Sequence, residues 1–158
     1  MILRILLSTL TIILLGALNS NAQSTFYAVS PFDANLRIMD STTMTATSTV
    51  PLTSATGTVT GANGLATFTC GPIYIVYKAN ASRYLGIIDP ATGIIAEIGN
   101  LGDNVANIAF VNSVLYGVTG DGAAVGETLY TIDTVNAAMT LDQKFTALSL
   151  PSALSHAP

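Results

Sequence analysis

Three segments of the chain repeat one short pattern of apolar residue, tyrosine, small or aliphatic residue and valine. They are Phe26-Tyr27-Ala28-Val29, Ile73-Tyr74-Ile75-Val76 and Leu115-Tyr116-Gly117-Val118, and their tyrosines stand 47 and 42 residues apart. Self-similarity at such a period marks a stack of like supersecondary units, none of which buries its apolar face alone. No stretch after residue 22 holds apolar residues at helical spacing, and β-branched residues dominate, so the units are built of strands.

Aligned on the tyrosines, each unit reads as four strands. A first strand is visible as Leu65-Ala66-Thr67-Phe68 and as Asn107-Ile108-Ala109-Phe110, with Phe68 and Phe110 each six residues before the tyrosine of the second strand. The third strands are Leu36 to Asp40, Leu85 to Asp89 and Leu129 to Asp133, their aspartates 49 and 44 apart. The fourth strands are Met44 to Val50, Ile94 to Ile98 and Met139 to Phe145. Asn63-Gly64, Cys70-Gly71-Pro72, Pro90-Ala91-Thr92-Gly93, Asn112-Ser113 and Gly120-Asp121-Gly122 supply the turn chemistry between them.

Tyr84, Leu85, Ile87 and Ile88 place apolar side chains on both faces of the third strand, whereas a sheet with one wet face alternates cleanly. Small sheets stacked face to face satisfy that demand, and four strands per period of about 45 residues is the size of a β-propeller blade. The expected fold is all-β, a β-propeller-like array of four-stranded antiparallel blades at about 25–54, 55–102 and 103–148, incomplete at about three blades.

Leu85-Gly86-Ile87-Ile88-Asp89-Pro90-Ala91-Thr92-Gly93 resembles the apolar–Ile–Asp–Pro–x–Thr–Gly hairpin of secreted bacterial propellers of the YVTN and quinoprotein-like kind. Leu115 to Val118 and Leu129 to Asp133 resemble the adjoining strands of that blade. The pattern is degenerate at Ser41-Thr42-Thr43 and Thr134-Val135-Asn136. The resemblance implies a fold and no activity. In the turn itself Asp89 is expected to accept backbone hydrogen bonds, Pro90 to preset the first corner and Gly93 to take positive φ; Asp40 and Asp133 follow suit.

The first unit lacks its own first strand. Ala153-Leu154-Ser155-His156, within the closing segment 149–158, falls where one is due, His156 standing 46 residues after Phe110. Three blades are fewer than the usual four to eight, so the chain reads as a fragment of a longer propeller, with self-association to complete a ring as the alternative.

Arg4 followed by the largely apolar stretch Ile5 to Leu18, then Ser20-Asn21-Ala22, reads as a signal peptide over 1–22 with cleavage before Gln23. The stretch is shorter than the roughly 20 residues that span a bilayer, so no membrane span is expected after cleavage. The propeller segment is then 23–158, and the expected location is secreted, periplasmic or cell-surface. Only 9% of residues are charged and the net charge is −4, which offers nothing to nucleic-acid phosphate. The single cysteine, Cys70, excludes an intramolecular disulfide and reads as a small buried residue at a strand end.

Catalytic equipment is missing from the pattern. One histidine and one cysteine cannot make a zinc site, Gly120-Asp121-Gly122 lacks the Lys-Ser/Thr of a phosphate loop, and no dense oxygen-ligand loop suits calcium. No cofactor or metal is expected. Six charged residues, Asp33, Lys78, Arg83, Asp103, Asp121 and Glu127, map to loops on one face of a propeller, the candidate binding residues for an unknown protein or glycan ligand. Asn80-Ala81-Ser82 beside them fits a glycosylation sequon. The expected role is a non-catalytic binding or interaction module. The alternatives are part of a propeller enzyme, quinone-dependent, lyase or glycan-active, whose site needs further blades, and a structural or adhesive surface protein.

Overall fold

The computed structural model describes residues 25–144, and among them all regular structure is strand. The proposed signal peptide, the closing strand and His156 lie outside the described residues. The strands are β1 (Phe26–Ser30), β2 (Asp33–Met39), β3 (Ala46–Pro51), β4 (Thr53–Ser54), β5 (Gly61–Thr67), β6 (Ile73–Ala79), β7 (Ser82–Ile88), β8 (Ile94–Asn100), β9 (Val105–Val111), β10 (Val114–Thr119), β11 (Thr128–Ile132) and β12 (Met139–Lys144). They form three sheets, ordered β1-β2-β3, β4-β8-β7-β6-β5 and β12-β11-β10-β9.

Each sheet is an antiparallel meander, the second extended by the two-residue β4, which pairs parallel to β8. The first sheet has three strands, since β1 carries the tyrosine of the second-strand pattern and no strand precedes it among the described residues. Tight turns join the meanders. Asn80 and Ala81 both have positive φ between the paired Ala79 and Ser82, and Asn112 and Ser113 do the same between Val111 and Val114. Two positive φ angles in a two-residue loop match the twist of the flanking strands.

The Asp turns behave alike in all three sheets. The Asp89 carboxylate accepts from Ala91 N at 3.0 Å and Thr92 Oγ1 at 2.7 Å. Asp40 accepts from Thr42 N and Thr43 N, and Asp133 from Val135 N. Four residues after each aspartate the backbone turns left-handed, at Met44, Gly93 and Ala137, and that residue's N–H returns to the aspartate carbonyl. These hydrogen bonds hold the Asp40 and Asp89 carboxyls below the usual carboxylate value, through Thr43 N above all at Asp40 and Thr92 Oγ1 above all at Asp89.

The second sheet is buried on both faces. One face packs Ile75, Tyr77, Ile88 and Ile95 against Leu36, Leu52, Tyr27 and Val29 of the first sheet and its exit. The other packs Ala66, Val76 and Leu85 against Val105, Ile108, Leu115 and Ile132 of the third. Strand alternation sends neighbouring residues to opposite cores, so Leu85 serves one and Ile88 the other. Each such aliphatic side chain contributes about 1.5–3 kcal/mol on burial. Phe68 and Phe110 meet across the second junction with ring centroids 5.8 Å apart and planes tilted by 45°. The fully buried Tyr77 hydroxyl is satisfied by Ser54 and Thr56 at 3.0 Å each, and Thr56 Oγ1 in turn donates to Glu97.

Several expected boundaries shift. The first strands begin earlier, at Gly61 and Val105, and Phe68 lies just past β5. A bulge between Ala62 and Gly64 realigns β5 on β6, a local insertion that residue pattern does not announce. Cys70 is exposed rather than buried: it sits with positive φ in a tight turn closed by Gly71 N to Phe68 O, whose curvature turns it outward.

Candidate functional site

Strand ends, not loops, carry three of the six candidate residues. Asp33 opens β2, and Lys78 and Arg83 flank a two-residue hairpin, directly opposite one another in the register. The loops expected around them shrink to two residues each, Pro31-Phe32 and Asn80-Ala81. Asp103 lies in the link from β8 to β9, and Asp121 and Glu127 in the loop 120–127.

Asp33 and Lys78 are already engaged. Asp33 holds Arg37 in a two-pronged ion pair, the shorter arm 2.6 Å, and Arg37 above all keeps its carboxyl below the usual range. Lys78 Nζ donates to the Pro31 carbonyl at 2.7 Å, tying the second sheet to the first sheet's hairpin. Burial, with Arg83 as a like charge across the strand pair, pushes the Lys78 ammonium below its ordinary value.

Arg83 is placed differently. Its side chain lines a polar pocket of about 410 Å³ at the junction of the second and third sheets, with Ser82, Asn100, Asp103 and Asn104. Its Nε is buried without a hydrogen-bond partner, and burial lowers the guanidinium's pKa. A buried donor without an acceptor costs stability, since the Nε–H has lost water and gained no partner in return.

The far wall of the pocket is rigid. Asp103 Oδ1 accepts from Asn104 N at 2.7 Å and Ala124 N at 2.8 Å, and Oδ2 accepts from Val125 N at 3.2 Å. Burial acts to raise the Asp103 pKa, but these backbone donors outweigh it and hold the carboxyl below its ordinary value. Asn104 Nδ2 reaches the Asp121 carbonyl at 3.0 Å. Asp103 therefore anchors the loop 120–127 and its oxygens are occupied.

Of the six candidates, the structure brings Arg83 and Asp103 into one pocket, with Asp121 beside it through its carbonyl. Lys78 belongs to the other junction, Asp33 lies with Arg37 on the face of the first sheet turned away from the second, and Glu127 is exposed outside the pocket. Ser82, Asn100 and Asn104 are not among the sequence candidates, Asn104 reading there as a solvated turn residue. Asn100 and Asn104 flank the short connection to β9 that follows from the period, which is the signal that finds them. Asn80, the sequon asparagine, donates through Nδ2 to Thr56 O at 2.9 Å and packs on Gly57. Its amide is thus engaged in the fold.

The chain matches no family model, and no curated protein matches it in sequence. In structure it is distantly similar to Kuenenia stuttgartiensis hydrazine synthase, with a TM-score of 0.44 and 15% sequence identity. That likeness covers 79% of this chain and 37% of the other, so the chain spans well under half of that protein's length.

Proposed function

We propose that the chain is a secreted or cell-surface β-propeller of the YVTN and quinoprotein-like kind acting as a non-catalytic binding module, with acidic glycans as the ligand class. The observation that carries this reading is the half-buried Arg83 guanidinium, its Nε without a hydrogen-bond partner, in a polar pocket between two sheets. A planar guanidinium presents a fork of donors suited to a carboxylate. Asn100, Asn104 and Ser82 add donors and acceptors suited to hydroxyl groups, and no aromatic side chain lines the pocket for stacking. A uronic acid combines a carboxylate and hydroxyls within one ring.

Calorimetric titration with uronate-containing oligosaccharides and their neutral counterparts tests the proposal. Binding of the acidic set alone is expected, with loss of about tenfold or more in affinity in Arg83→Met. Equal affinity for neutral sugars, or none for any acidic one, overturns it.

A further inference from the structure

Among the described residues, the third sheet presents without a cover the same apolar face that the second sheet buries. On the second sheet, Ala66 pairs with Tyr74 and Val76 with Leu85. On the third, in the same register, Ala109 pairs with Tyr116 and Val118 with Leu129. Val76 and Leu85 are 0% exposed and Ala66 9%, under the third sheet. Val118 and Leu129 are half-buried, Ala109 is exposed, and the face forms an apolar groove of about 170 Å³.

The residue pairs that do the covering repeat as well. Leu115 paired with Ile132 covers the second sheet, and Ile73 paired with Ile88 covers the first. The corresponding pair on the first sheet is Phe26 with Met39. It covers nothing among the described residues: Phe26 is 50% exposed, against 1% for its counterpart Leu115. Beside that pair Arg37, held by Asp33, stands where the two covering faces have Gly86 and Tyr130, so the first sheet offers the covering half of the interface with an ion pair at its side, and among the described residues neither half is engaged.

We propose that this face docks a second copy of the chain head to tail, the Phe26–Met39 face of one protomer seated on the Tyr116, Val118 and Leu129 face of its partner. The contact continues the sheet-on-sheet packing of the two internal junctions, which decides between a second copy and an unrelated occupant. Such a contact is heterologous, joining two different patches, and it yields a ring when the rotation closes. Two copies bring six sheets together, within the four to eight of closed propellers. Closure hides an apolar surface that a soluble monomer rarely leaves open.

Light scattering and sedimentation on the purified chain test the pairing, with a concentration-dependent discrete dimer expected. Val118→Asp and Phe26→Asp each place a carboxylate in the contact and are expected to weaken association by about 100-fold or more. Circular dichroism confirms that each variant is folded. Mixing the two variants carries the decisive outcome. A head-to-tail pair of one Val118→Asp and one Phe26→Asp chain retains one wild-type interface, so the mixture forms heterodimers that neither variant forms alone. Three results overturn the proposal: a wild-type monomer at all concentrations, including one whose own residues 145–158 protect Tyr116 and Val118 from hydrogen exchange; a dimer insensitive to Phe26→Asp, which marks a symmetric contact; and a mixture that stays monomeric.

Discussion

The two junctions between sheets are made from the same repeat, yet one is closed at its hairpin end and the other open. At the first, Lys78 caps the Pro31 carbonyl and the backbone of Gly61 lies against that same carbonyl. At the second, Arg83 Nε finds no partner among the described residues and a pocket of about 410 Å³ remains. Lys78 and Arg83 are cross-strand neighbours of like charge that start from one face of the sheet, and Lys78 reaches over the rim to the Pro31 carbonyl while Arg83 stays at the second junction. Stacked repeats bury the aliphatic centre of every junction alike. What happens at the rim is decided by one or two side chains, which is where a repeat fold acquires a site.

The largest expected effect breaks the closed junction. A Cβ on Gly61 would land on Pro31 O and within 2.8 Å of Pro31 C, both backbone atoms of the neighbouring sheet. Neither can yield without moving the hairpin, so Gly61→Ala is expected to cost about 3 kcal/mol in urea unfolding. At Gly99 the second and third sheets approach less tightly than the first and second do at Gly61: a Cβ there would stand 2.9 Å from Asn136 O and 3.2 Å from Ala137 Cβ. Gly99→Ala is expected to cost about 1 kcal/mol. Equal losses would mean that the two junctions are packed with the same tightness.

A smaller effect lies in the wall of the open junction. Asp103→Ala removes the acceptor of three backbone N–H groups and is expected to cost about 1.5 kcal/mol, the partial exposure of the carboxylate screening part of its worth. The sign of the pH dependence follows from the lowered pKa. The contribution is complete above the ordinary carboxylate value of 3.8 and is lost as pH falls through the lower folded-state value. Exchange of the Ala124 and Val125 amides, followed by mass spectrometry or NMR and corrected for intrinsic rates, should therefore lose protection on the acid side in wild type. It should be weak at every pH in Asp103→Ala. The Lys78 to Pro31 contact does not titrate there, so Pro31 hairpin amides that keep protection would sharpen the contrast.

The aliphatic centres of the junctions were legible in the chain, and their rims were not. Tyr74 and Val76, and likewise Leu85 and Ile88, declare their faces through the period of two, which is why stacked four-stranded sheets follow from residue order. Asp89, Pro90 and Gly93 declare their turn through local chemistry, which needs no other part of the molecule. Lys78 and Arg83 carry the same signal in sequence, a cation beside a hairpin, and their fates differ because Lys78 meets the Pro31 carbonyl while Arg83 Nε meets no partner among the described residues. Asn104 and Asp121 meet across 17 positions, a contact that no local rule encodes. Cys70 was misread for a related reason: apolar character argued for burial, but the backbone curvature of its turn decided its direction.

The smallest expected effect separates the two cations by sign. Lys78→Met keeps the length of the side chain and removes the donor to Pro31 O, so it should cost about 0.5 kcal/mol, a modest figure for a solvent-accessible hydrogen bond. Arg83→Met removes a cation that burial disfavours and whose Nε has no partner. Replacing an unsatisfied half-buried charge by an apolar chain of similar size relieves desolvation without opening a cavity, so stability should rise by about 0.5 kcal/mol. Thermal unfolding of the two variants beside wild type reads the difference as melting shifts in opposite directions. Destabilisation by Arg83→Met would mean that the guanidinium supports the second junction as Lys78 supports the first, and the open rim would then be structural. A rise in stability together with lost affinity for acidic sugars identifies Arg83 as a group that the fold holds at a cost and the ligand satisfies.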